Sequence, residues 1–95
     1  MQGKFELGRT VMTCGVVAHC EGNVEANFQI LECLRRHVSG DWGDVCAVDK
    51  KENDLALKNG ERLCSAYTII DIGKKVWIIT ERDRSYTTIL FPEEY

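Results

Sequence analysis

Between Asn23 and Gly60 apolar residues recur with a helical period, and beyond Gly60 with a different one. Residues 9–17 (RTVMTCGVV) alternate as a β-strand does, with Gly15 as a bulge or point of close approach. The loop AHCEGN leads to Asn23, a good helix N-cap. Val24, Phe28, Leu31, Leu34 and Val38 then follow at steps of four, three, three and four, which predicts one apolar helical stripe. Arg35, Arg36 and His37 fall in the last turn, where positive charge meets the negative end of the helix dipole, and Ser39-Gly40 stops the helix. Asp41 or Asp44 can cap a second helix with a weaker stripe of Val45, Val48, Leu55 and Ala56. Asn59-Gly60 closes it, and a break at 49–51 would divide it into a short turn and a longer helix.

Beyond Gly60, RLCSAYTII, KVWIITE and YTTILF are β-rich runs, joined by Asp71-Ile72-Gly73-Lys74 and Arg82-Asp83-Arg84-Ser85, both short enough for hairpin turns. The expected order is β-α-α-β-β-β: a single α+β domain over 1–95, with two helices packed on one face of an antiparallel sheet.

Composition narrows the class. No apolar run approaches the ~20 residues of a membrane span, and the opening MQGKFELGRT lacks a signal-peptide core, so a cytoplasmic protein is expected. Fifteen acidic residues against twelve basic ones give a net charge of −3, which argues against general binding to phosphate backbones and suits a basic partner. Five cysteines, odd in number and without a CxxC pair, read as reduced thiols rather than a disulfide framework.

Three clusters invite chemistry. Cys14, His19 and Cys20, with Cys46 or Cys64 as a fourth ligand, can be imagined around a metal, but they lack the paired knuckle spacing of structural zinc sites; neither metal nor cofactor is expected. His37 lies close in sequence to Asp41 and Asp44. With Arg82, Arg84 and Thr88 it could serve a metal-independent ribonuclease or toxin-like domain of barnase–RelE–colicin shape, if the last hairpin folds back near the helix end. The simpler reading of His37 is a helix-terminal residue facing the dipole and the last carbonyls. The turn Glu81-Arg82-Asp83-Arg84, bracketed by Trp77 and Tyr86, either guards a hydrophobic hairpin against aggregation or forms the charged rim of an interface. Trp42, between a helix stop and a new cap, reads as a plug between helices and sheet, with Gly43 giving the backbone room. No GxSxG, HExxH, GxGxxG or P-loop pattern occurs.

The segments GRTVMT (8–13), RHVSGDWGDVC (36–46), the Asn53-Asp54 and Ala56-Leu57 pairs, RLCSAY (62–67) and VWIITERDRSYTTILFPEEY (76–95) resemble a family of small bacterial proteins carried on plasmids, prophages and other mobile elements. The resemblance covers most of the chain and is strongest from Arg36 onward; residues 14–30 match loosely, and Arg82 stands where the family has a small residue. Members are labelled hypothetical or plasmid-related, and sometimes as a type I restriction subunit. A methyltransferase subunit needs a glycine-rich strand-turn-helix that 95 residues of this pattern do not supply. The resemblance implies a neighbourhood of anti-restriction and anti-CRISPR genes, and some members look like anti-CRISPR candidates.

The expectation is therefore an anti-defence protein that works by binding rather than catalysis, docking on a Cas effector or another host-defence nuclease. Asp41, Asp44, Glu81, Arg82, Asp83, Arg84 and Tyr86 are its candidate contacts, the acids imitating phosphates against a basic groove. A homodimer or scaffold that self-associates through an exposed edge strand is a further reading.

Overall fold

The computed structural model describes residues 3–95. Among them the order is β1 (Arg9–Met12), α1 (Cys14–Cys20), α2 (Val24–Val38), α3 (Ala47–Asn59), β2 (Leu63–Ile69), β3 (Lys74–Thr80) and β4 (Tyr86–Leu90), with single 3-10 turns at Ile70–Ile72 and Pro92–Glu94. The class is α+β, as expected, but there are three helices rather than two. The sheet is mixed rather than antiparallel: its order is β1-β4-β3-β2, and β1 runs parallel to β4.

The first strand is shorter than the alternation of 9–17 suggests. Thr13 accepts a hydrogen bond from the Val16 amide and caps α1 in place of a continued strand. Val16 and Cys20, four residues apart, then fall on one buried helical face.

Helix α2 has the predicted bounds. The Asn23 side chain accepts from the Ala26 amide at its start. At its end the Asp41 amide reaches back to the Arg36 carbonyl and the Gly40 amide to that of His37, a Schellman closure that requires the positive φ of Gly40. The face it buries differs from the expected stripe: Ala26, Ile30, Cys33, Leu34, His37 and Val38 are inside. Val24, Phe28 and Leu31 are 65%, 63% and 53% exposed. Both sets carry helical spacing; the one with small Ala26 and Cys33 lets the helix approach the sheet closely.

Helix α3 runs unbroken through 49–51. Neither Asp41 nor Asp44 caps it; the N-cap is Cys46, without a side-chain bond, and Gly60 ends the helix. Of the predicted stripe, Val48 and Leu55 are exposed and Ala56 is buried, beside Asn53, which the stripe did not include. It lies along the outer edge of β2: Asn53 donates to the Cys64 carbonyl and accepts from the Cys64 amide. Only α1 and α2 pack on the sheet face formed by Tyr67, Ile69, Val76, Ile78 and Ile89, which corrects the expected pairing of two helices there.

The segment between α2 and α3 is the joint of the fold. Trp42 is 3% exposed, packs with Ala56 and Leu63, and donates its indole N–H to Asp54. Its carbonyl accepts from the Ala66 amide while the Asp44 amide donates to the Ala66 carbonyl, so residues 42–44 extend the sheet beyond β2. Gly43 makes this approach possible: its φ is 76°, and a Cβ there would lie 2.1 Å from the Ala66 oxygen.

Candidate functional site

With α1 and α2 on one face, the opposite face of β2 and β3 is left with a groove of about 1020 Å³ between it and the flank of α3. Strand alternation turns Ala66, Trp77 and Ile79 into its floor, and α3 contributes Asp49, Glu52 and Asn59 to its wall. The far side is built around Arg62. Its Nη1 donates to the Tyr95 hydroxyl at 2.6 Å, its guanidinium lies 5.2 Å from the Tyr95 ring centroid, and its Nε is 3.7 Å from Glu81. The Tyr95 bond is the main reason that its pKa is raised. Tyr95 meets Trp77 edge to face at 5.6 Å. Five carboxylates (Asp44, Asp49, Glu52, Glu61, Glu81) line the groove against three cations, Arg62, Lys75 and Arg82. An aromatic floor under an acid-rich rim suits a basic, partly apolar surface.

Of the contacts expected from sequence, Asp44, Glu81 and Arg82 line this groove. Asp44 also accepts a bond from Thr68. Asp41, Asp83, Arg84 and Tyr86 lie outside its lining. The Asp41 carboxylate is engaged by the Arg36 side chain at 2.7 Å, which pushes its pKa down, and by the Gly43 amide. Asp83 accepts from the Ser85 side chain and amide, lowering its pKa, and shapes the turn. Arg84 sits at a φ of 59° and donates to the carbonyls of Glu61 and Glu81, tying the hairpin to the α3–β2 loop. Tyr86 is exposed at the start of β4. Sequence reasoning missed Arg62, Tyr95 and the acids of α3; the last were hidden because that helix was given its stripe and not its position.

The ribonuclease constellation does not assemble. His37 is fully buried rather than turned to the helix carbonyls. Its Nδ1 lies 2.5 Å from Ser65 Oγ and its Nε2 2.9 Å from Thr80 Oγ1. Thr80 pairs with the Thr87 hydroxyl at 2.7 Å, and Thr87 donates to the Leu7 carbonyl. That carbonyl can only accept, so the chain has one direction: Thr87 donates to Leu7, Thr80 to Thr87, His37 Nε2–H to Thr80, and Ser65 to Nδ1. The imidazole is thus the neutral Nε2–H tautomer, and burial lowers its pKa to about 3, the charge of Arg84 adding to the shift. Phe5 and Trp42 close over the ring edge to face. Thr88, opposite Ile79 in register, points to the other side of the sheet, while Arg82 is at the exposed tip. No substrate phosphate reaches all four groups.

The imagined metal cluster is also dispersed. Cys20 is buried, Cys14 and Cys46 are exposed, and His19 Nδ1 lies 2.9 Å from the Gly15 carbonyl, with its ring against Phe91. Among the described residues, no group of three or more His, Cys, Asp or Glu converges as metal ligands would. All five cysteines carry free thiols. None of the described helices is long and apolar enough to cross a membrane. No family model, curated protein or solved structure matches the chain.

Proposed function

We propose that this protein works by binding, and that the groove between α3 and the open sheet face is its docking site for a basic surface on a protein partner. The observation that carries the proposal is the pairing of five groove carboxylates with the edge-to-face Trp77–Tyr95 pair. Aromatic residues supply buried anchors at interfaces, and complementary charge speeds and orients the encounter. The nucleic-acid channel of a nuclease is such a basic surface, and carboxylates held in a groove can occupy it in place of phosphates. Together with the resemblance of its motifs to those of mobile-element proteins, this favours an anti-defence inhibitor acting in the cytoplasm. A Cas effector is the first target to test.

The experiment is binding of the purified chain to a Cas effector, with nucleic-acid loading and phage plaquing in a CRISPR-immune host as functional readouts. The wild-type chain is expected to bind in a salt-sensitive way, to block loading and to restore plaquing. The Asp49→Lys/Glu52→Lys chain, altered at two exposed positions on the groove wall, is expected to lose binding by at least tenfold while keeping its fold. Absence of binding together with unrestored plaquing sinks the Cas-effector assignment. Binding that survives the double reversal moves the site elsewhere.

A further inference from the structure

We infer that two copies of this chain pair antiparallel through β1, about a two-fold axis at Val11, joining their sheets into one. The inference uses a surface distant from the acidic groove and does not depend on what the groove binds.

Strand β1 ends the sheet, and all four of its residues are exposed. The amides of Arg9 and Thr13 donate inward to the carbonyls of Ser85 and Ile89, so alternation turns the amides and carbonyls of Thr10 and Met12 outward. An antiparallel copy centred on Val11 sets Thr10 opposite Met12 of the second chain. Each pair of facing residues can then exchange two backbone bonds.

Side chains on both faces fit the same axis. On the helix-bearing face, a groove of about 320 Å³ lies between β1 and α2, lined by Thr10, Met12, Leu31 and Leu34 among others. Leu31 of this lining is exposed, and so is Phe28, three residues before it on α2. The two-fold brings this apolar strip against its own copy, which neither strand pairing nor helix packing does within one chain. On the opposite face, Val11 meets Val11 of the second chain, a favourable β-branched cross-strand pair.

Charge selects a second copy over an unrelated strand. One end of the edge carries Arg9, which takes part in none of the three ion pairs among the described residues. At the other end Thr13 donates to the Glu94 carboxylate at 2.8 Å. Antiparallel pairing about Val11 sets Arg9 of each chain opposite Thr13 of the other, with Cβ atoms ~5 Å apart on the same face. Each guanidinium therefore arrives beside the other chain's Glu94, twice by symmetry.

The test is the mass of the full chain by light scattering and sedimentation across a concentration series. The wild-type chain should reach twice its 10.8 kDa. Val11→Lys and Val11→Asp, each placing like charges on the axis at an exposed position, should both give monomers with an unchanged far-ultraviolet CD spectrum. An equimolar mixture of the two should restore the dimer, since opposite charges then meet. Arg9→Glu should weaken association at least tenfold without any change at the axis. A wild-type chain that stays at monomer mass up to its solubility limit overturns the proposal. So does a dimer that survives both Val11 changes, a mixture that stays monomeric, or a series of growing open oligomers.

Discussion

The two edges of the sheet are finished in opposite ways. At β2, Trp42 and Asp44 occupy the amide and carbonyl of Ala66, and Asn53 occupies those of Cys64. At β1, all four residues are exposed and their outward amides face solvent. An unpaired edge is a template for another strand, so the fold spends three devices (a glycine, a tryptophan and an asparagine) on closing one edge and none on the other. The closed edge contributes stability and supports the acidic groove; the open edge is available for association. Between them the chain from Ser65 through His37, Thr80 and Thr87 to Leu7 crosses the sheet from one side to the other.

The largest effect is expected where closure depends on a single missing Cβ. Gly43→Ala should destabilise the fold by about 4 kcal/mol, through its positive φ and its collision with the Ala66 carbonyl. Urea unfolding would check this, and hydrogen exchange should show the Ala66 amide opening with it.

Acid should loosen the polar chain between the edges. His37 is neutral when folded, with a pKa of about 3, whereas the unfolded residue titrates near 6.5. Below 6.5 the unfolded state therefore binds a proton that the folded state refuses, and stability falls as pH drops towards 3. The slope is roughly 1.4 kcal/mol per pH unit for this one group. Urea midpoints measured through that window should follow it, and His37→Gln should flatten the dependence while lowering stability at neutral pH.

A smaller loss is expected on the closed edge from Asn53→Ala, which removes both bonds to Cys64 and leaves a part-buried amide and carbonyl without their partner. About 2 kcal/mol is the expected cost. Exchange of the Cys64 amide should quicken, while β1 is unaffected.

The smallest effect belongs to the open edge. Thr10→Pro removes an amide that points outward, so the free energy of unfolding of the monomer should change by no more than about 0.5 kcal/mol. Self-association should nonetheless be lost in sedimentation. A large change in monomer stability would mean that the β1 edge is closed within the chain after all.

Much of the local structure was legible because local rules act on neighbours in sequence. Asn23, Ser39-Gly40 and Asn59-Gly60 bound their helices as helix-capping chemistry requires, and both short turns of the meander fall where the polar breaks stand. Trp42 fills the joint beside Gly43, as their setting suggested. The extent of β1 was misread because RTVMTCGVV satisfies both periods, and Thr13 decides between them by capping a helix. In the candidate site, Asp44 was singled out between two helices and Glu81 and Arg82 in a charged turn, and all three line the groove; their neighbours Arg62 and Tyr95 are 33 residues apart and meet only in the folded chain.

By itself the sequence determined the α+β class, the ends of α2, the end of α3 and the three-stranded meander, because capping, turn chemistry and periodicity are settled within a few residues. Only the tertiary structure decided which face of α2 is buried, since 24/28/31 and 26/30/33 have equal spacing and the approach to the sheet chooses the smaller side chains. It also decided that β1 lies parallel to β4, because residues 42–44 already occupy the outer edge of β2. And it turned His37 from an expected helix-terminal residue, with a catalytic role as the alternative, into a neutral link in the core, since its partners Ser65 and Thr80 lie 28 and 43 residues away and meet it only through the sheet.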